Sequence, residues 1–183
     1  MPHINLFNEC NDSLSGVKTL RLCAKKSSGE ALSFPLDVVF KESSTETLLL
    51  ENNPSDNVIT INDVDYDYRV VKPNYADFNQ DILETRQGLV YRKDLTFTFP
   101  KIDLITNNQI RNFLFGQGEQ FAISNIVAFI TDMNDMDWIV GWDYGLVLDE
   151  FNLQTDTRGG ENIYVFRYFS ESYQPALKYE EIT

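Results

Sequence analysis

Histidine is almost missing from this chain: the one copy, His3, stands two residues from the first residue. Acid–base and nucleophilic enzymes commonly use that side chain as proton carrier, so Ser-His or Cys-His chemistry would rest entirely on a position near a terminus. Cysteine is nearly as scarce. Cys10 and Cys23 lack the spacing of a zinc site and are too few for a disulfide scaffold, which makes a reducing compartment the simpler expectation. No apolar run approaches the roughly 18 residues needed to span a bilayer, and "MPHINLFNECNDSLSG" has neither a basic start nor an apolar core of an export signal. No membrane association is expected. Positive charge is in deficit too, with 15 Lys and Arg against 28 Asp and Glu and a net charge of −13. Binding to phosphate backbones rests on Lys and Arg, so the balance opposes gripping nucleic acid, although an acidic surface lets a polyanion pass without sticking.

What is present is β-forming sequence. The 183 residues suit one domain, and 43% hydrophobic and 23% charged residues are ordinary globular usage. Thirteen Phe and nine Tyr recur in segments that fit a pleated, half-buried surface. Val17 to Ala24 reads as a strand, and Leu32 to Phe40 as a continuation of its sheet that Pro35 restricts to an edge. A short strand is expected at Thr47 to Leu50. "VITIND" and "DYDYRVV" alternate, with Tyr66, Tyr68 and Val70 on one face and Asp65, Asp67 and Arg69 on the other.

From Lys72 to Gly88 the periodicity is weak, and the stretch reads as a connection longer than most in compact domains. Its Tyr75, Phe78, Ile82 and Leu83 suggest a loop that orders against a neighbouring subunit. Leu89 to Ile102 is the clearest alternation, with Leu95, Phe97 and Phe99 on one face. Thr106 to Gln109 has capping-box spacing, Ile105 and Ile110 are placed as a hydrophobic staple and Gly116 as a stop, so a short helix with an Ile110, Phe113, Leu114 stripe is expected. Strands return in "QFAIS" or "NIVAFIT", "DWIVGW", "GLVLDEFNLQT" and "NIYVFRYFS". The expected fold is mainly β, a β-sandwich or barrel with one short flanking α-helix and a long inter-strand loop, over a single domain.

Three kinds of constellation bear on chemistry, the first by its absence. Neither GxGxxG nor GxxxxGK[ST] occurs, so no phosphate cradle is expected. Asp143, Asp149 and Glu150 near Trp138, Trp142 and Tyr144 could make a carbohydrate-binding or hydrolysing site, since glycoside hydrolysis needs two carboxylates and aromatics stack on sugars. The third is "TDMNDMDW", where Asp132, Asn134, Asp135 and Asp137 crowd six positions. Against a calcium loop, Met136 occupies the fifth position, Asp137 replaces the glycine and the twelfth falls on Asp143. Asp and Asn brace turns and tolerate left-handed backbone, so the stretch reads as the polar tip of a hairpin between Ile126 to Thr131 and Trp138 to Trp142. No metal, cofactor or catalytic residue is expected.

From Asn11 to Tyr179 the order of signals resembles the major tail tube proteins of tailed phages, particularly those infecting Bacteroidetes-type bacteria. The resemblance rests on "NDSLSGVKTLRL", "GLVYRKDLTFTFPKI", a short helix, "NIVAFITDMNDMDWIVGWDYGL" and "NIYVFRYFSESYQPALKY". Asp132, Trp138, Gly141, Gly145 and Leu146 occupy the family's hairpin positions, and Pro175 and Ala176 its late Pro-Ala pair. The turn lacks the Gly usual after Asn, and 41–57 has no counterpart. The resemblance implies a virion structural protein without enzymatic activity. It would be assembled in the host cytoplasm into homo-oligomeric, hexameric rings that stack into a tail tube, with other tail proteins as partners and DNA passing through the lumen. A tail completion, initiator, adaptor or tail-tip ring protein is the alternative.

Overall fold

The computed structural model describes residues 16–40, 47–73, 75–100, 108, 125–154 and 163–182. Its strands are β1 (Val17–Lys26), β2 (Thr47–Asn53), β3 (Val58–Ile61), β4 (Val64–Val71), β5 (Tyr75–Thr85), β6 (Gly88–Pro100), β7 (Val127–Asp132), β8 (Asp137–Val140), β9 (Val147–Gln154), β10 (Ile163–Ser172) and β11 (Leu177–Ile182). Seven of them close a barrel in the order β1-β4-β3-β2-β11-β8-β7, and the other four form an open sheet in the order β5-β6-β10-β9. An odd number of strands cannot alternate direction all the way round a closed ring. The one parallel contact this forces lies between β2 and β11; the remaining barrel pairs are antiparallel.

Two cores result. Inside the barrel, Cys23, Leu48, Leu50, Ile59, Ile61, Tyr66, Tyr68, Val127, Phe129, Ile139 and Tyr179 pack together. Between the barrel wall and the open sheet lie Leu20, Leu22, Leu95, Phe97, Ala128, Ile130, Tyr164, Phe166 and Tyr168. β1 and β7 serve both. That is why "VAFI" on β7 is an unbroken buried run: Val127 and Phe129 point into the barrel, while Ala128 and Ile130 point to the sheet. The sheet side is aromatic, with Phe97 stacked on Phe166 at 5.1 Å and 9° and on Tyr168 at 5.9 Å and 14°. Such offset pairs add about 0.5–1.5 kcal/mol beyond burial.

Two expectations need correction. The stretch expected as a loop from Lys72 to Gly88 is mostly strand β5, paired residue for residue with β6 from Tyr75↔Thr98 to Thr85↔Gly88. Its period was hidden because Asn79 to Leu89 are all exposed, so neither face is under pressure to be apolar. The turn is tight: Thr85 Oγ1 donates to Gly88 O at 2.7 Å and accepts from Gln87 N at 3.2 Å. Leu32 to Phe40 is not a strand; only single bridges occur nearby, at Lys25↔Ala31 and Phe40↔Leu48. It instead lays Leu36 into the barrel core, with Leu32, Phe34 and Val38 packed alongside, and Leu36 N bonds Trp142 O at 2.7 Å. Val70 lies on the same face as Tyr66 and Tyr68 but is exposed there rather than buried, while Val71 on the opposite face enters the second core. The helix expected from Thr106 to Gly116 lies outside the described residues apart from Asn108, as does "QFAIS".

Two glycines are fixed by geometry at the β8–β9 connection. Gly141 and Gly145 both have φ +81°, and a Cβ at Gly145 would stand 2.7 Å from Asn125 Cβ and 2.9 Å from Phe34 Cζ. Gly29 has φ +87° with open space around it. Gly29→Ala is therefore expected to cost about 1–2 kcal/mol of backbone strain. Gly145→Ala should lose roughly a further 1–3 kcal/mol through overpacking, as urea unfolding would measure.

Burial also sets an alkaline limit. The Cys23 thiol is pushed by burial from its ordinary 9.0 up to about 12, and burial raises the phenols of Tyr168 and Tyr179 above their ordinary 10.0, with Arg21 opposing at Tyr179. Their folded-state values lie above the unfolded ones, so their contribution is complete below about pH 9 and is lost as pH rises. Lys93, whose value is lowered by burial against the opposing Asp143, acts with the opposite sign. Three groups outweigh one, so stability should fall progressively above pH 9. Tyr168→Phe should flatten that slope in chemical unfolding measured across pH.

Candidate functional site

The acidic stretch forms the β7–β8 turn. Asp132 N donates to Met136 O at 2.9 Å, Asp135 N to Asp132 O at 3.1 Å, and Asp135 adopts φ +58°. The Asp132 carboxylate accepts from Asn134 N at 2.8 Å and Met136 N at 3.0 Å through Oδ1, and from Trp138 Nε1 at 3.2 Å through Oδ2. Asp137 accepts from Thr131 Oγ1 at 2.6 Å, and Asp135 pairs with Lys18 on β1. These acids hold the turn and tie it to the neighbouring strand. Among the described residues no three His, Cys, Asp or Glu side chains converge as a metal set.

The carbohydrate-type set is dispersed by its partners. Asp143 is buried and holds Lys93; Glu150 pairs with Arg167 at 2.9 Å across β9 and β10. Trp138 packs against the layer core and Trp142 against the barrel core, where its Nε1 donates to Pro175 O at 3.1 Å. Of the six residues, Tyr144 keeps an exposed ring.

The strongest polar feature is one that strand patterning missed. Lys93 sits in the middle of β6, wholly buried, on the face that carries Leu95 and Phe97. Its Nζ lies 3.1 and 3.2 Å from the Asp143 carboxylate oxygens, 2.7 Å from Ser172 Oγ and 2.8 Å from Gln174 O. The ammonium thus joins the open sheet to the β8–β9 and β10–β11 connections. Nearby, Gln80 Oε1 accepts from Ala176 N at 2.7 Å and ties β5 to the same connection. A second network joins barrel strands: Arg21 on β1 donates to Tyr179 Oη at 2.6 Å and pairs with Glu181, which accepts from Asn52 Nδ2 at 2.7 Å. Glu181 and Asn52 have no sequence spacing that would link them to Arg21.

The predicted contact residues divide. Phe78 is half-buried against the layer core and shares a cleft of about 300 Å³ with Asp132, Asn134, Val17 and Trp138. The structure thereby brings one of the expected assembly residues together with the hairpin tip. Tyr75, Ile82 and Leu83 are exposed, on a strand rather than a loop.

Among the described residues, the open sheet is the main surface that leaves strand edges unpaired. Its outermost strands, β5 and β9, each have a ladder on one side among the described residues. On the face away from the barrel, Arg92 bonds Asp94 at 2.9 Å and Glu171 at 3.3 Å, while Asp81 is its ladder partner on β5; Arg167 is held by Glu150. Asp77 adds another acid to that face. No family model, curated protein or solved structure matches the chain. Its surfaces therefore carry the functional reading.

Removing one partner of a buried ion pair leaves an uncompensated charge, at a cost of about 3–5 kcal/mol. Lys93→Met should show a loss of that size in denaturant unfolding. Adding Asp143→Leu to it should restore most of the stability, because an apolar pair needs no compensation.

Proposed function

We propose that this chain is a non-enzymatic virion structural protein whose copies join through the edges of the open sheet into rings, the subunit of a tailed-phage tail tube. One observation supports the reading above the others: the sheet has four strands, all neighbours antiparallel, so its edge strands β5 and β9 run in opposite directions. A copy related by rotation about an axis along the strands sets its β5 against the first copy's β9, and the antiparallel ladder continues without a break. That contact is head-to-tail, and it leaves no free edge once the rotation closes. Six copies of a four-stranded sheet exceed the roughly 16–18 strands at which a barrel encloses a water-filled channel.

The face turned from the barrel would line that channel. Its arginines are held by carboxylates and its remaining charges are acidic, which suits passage of a polyanion without adhesion. The seven-stranded barrel would form the outside of each ring, supporting the sheet through Lys93.

The test traps the ring covalently. With Cys10→Ser as background, Asn79→Cys on β5 is combined in turn with cysteine at Val147, Glu150 or Asn152 on β9, and the protein is oxidised at high concentration. The expected result for one combination is a denaturant-resistant ladder of multimers ending at the ring size, with rings visible by electron microscopy. A protein that stays monomeric in every combination, without rings, would overturn the proposal.

A further inference from the structure

The cleft of about 300 Å³ between β5 and the β7–β8 turn combines an apolar floor with a rim of acceptors. Val17, Phe78, Ile130 and Trp138 make the floor, and Asp77, Asp132, Asn134 and Gln80 the polar lining. Among the described residues that line it, none is Lys or Arg. Asp77 and Phe78 both border the space although successive strand residues point to opposite faces, so the cleft opens on the edge of β5 that has no ladder among the described residues. The Asp77 carboxylate makes no hydrogen bond or ion pair to a described residue. Asp132 has two backbone N–H groups on Oδ1, but Oδ2 takes a single bond, from Trp138 Nε1 at 3.2 Å, and a carboxylate oxygen can accept two. A locked indole–carboxylate pair and an uncompensated carboxylate thus stand at one cleft.

We propose that this cleft takes an arginine side chain presented by a basic partner protein. A guanidinium is planar and carries N–H donors without an acceptor, so carboxylates and an aromatic plane satisfy it together. Its methylene stem covers the apolar floor. A lysine ammonium brings the same charge but neither stacks as a plane nor bonds a carboxylate bidentately, so arginine is preferred. The indole already attracts one cation: Lys178 Nζ on β11 stands 5.5 Å over the Trp138 ring without lining the cleft. The partner is a separate protein rather than a second copy. Arg21, Arg92 and Arg167 are held by carboxylates of their own chain, and a net charge of −13 draws basic molecules over long range. The space lies at the small end of ligand clefts, which run to about 1,000 Å³, and so suits one long side chain. The site needs only the folded subunit and is tested apart from the ring reading.

The full chain is titrated with three end-blocked peptides in which glycine alternates with arginine, lysine or glutamate. The Trp138 indole N–H is followed by NMR and the affinity by calorimetry. The arginine peptide should move that resonance and bind tightest, the lysine peptide more weakly and the glutamate peptide not at all. Asp77→Asn should weaken the arginine peptide about tenfold, the size of one lost charge-assisted hydrogen bond. Asp81→Asn removes the same charge from the same strand outside the cleft and should leave binding as it is. Equal losses in the two variants would mean diffuse attraction to an acidic surface, and would overturn the proposal. So would a Trp138 resonance that no peptide moves, as a cleft already filled by the chain's own residues 1–15 would give. A resonance that moves with protein concentration alone would assign the cleft to a second copy and overturn it as well.

Discussion

The arrangement of this molecule depends on an ammonium group placed where water cannot reach it. Lys93 stands among Leu95, Phe97 and Tyr168 and would be severely destabilising there without Asp143, Ser172 and Gln174 O around its Nζ. Two apolar layers can slide over one another at little cost, because burial is non-directional. An ion pair with three donors satisfied by three separate groups has one geometry. It fixes the offset of the open sheet on the barrel, and with it the height at which β5 and β9 present their edges. The structural polar group therefore sits at the boundary between the part that supports and the part that would assemble.

The division of labour between the two layers follows from parity. Seven strands close a barrel with one forced parallel pair, and closure leaves that layer no edge. Four strands give an open sheet whose edges point in opposite directions, which suits continuation by copies of itself. Several acidic groups close to these surfaces have a structural assignment. Asp132 organises a turn and orients Trp138, Asp143 neutralises Lys93, and Asp94, Glu171 and Glu150 hold arginines on the outer face. The acidity that first suggests catalysis or metal binding is here a means of fixing loops and cancelling positive charge.

Much of the strand content could be read directly from the chain. β6, β9 and β10 alternate or carry aromatics at period two because one face of each meets a core, β1 shows Leu20 and Leu22 at the same period although its other face meets the barrel core, and turn chemistry marked the β7–β8 hairpin tip correctly. β5 escaped because its distal half is solvated on both faces. Leu32 to Phe40 was misread as an edge strand because the apolar residues of a plug and of a strand look alike. β11 was missed as a strand because "LKYEEI" owes its place to a parallel partner, β2, whose ladder spans Lys178↔Thr47 to Ile182↔Glu51.

The sequence by itself determined the class of molecule: a β-rich, acidic chain with one histidine, with residues whose period and turn chemistry act over a few neighbours. Those are local properties, set by backbone sterics and by which side of a strand faces water. The tertiary structure alone decided that Lys93 meets Asp143, that Arg21 meets Glu181, and that a presumed loop is an edge strand. Each of these joins residues far apart in the chain. Their meeting depends on how the layers are stacked, and no spacing in a single sequence encodes that stacking.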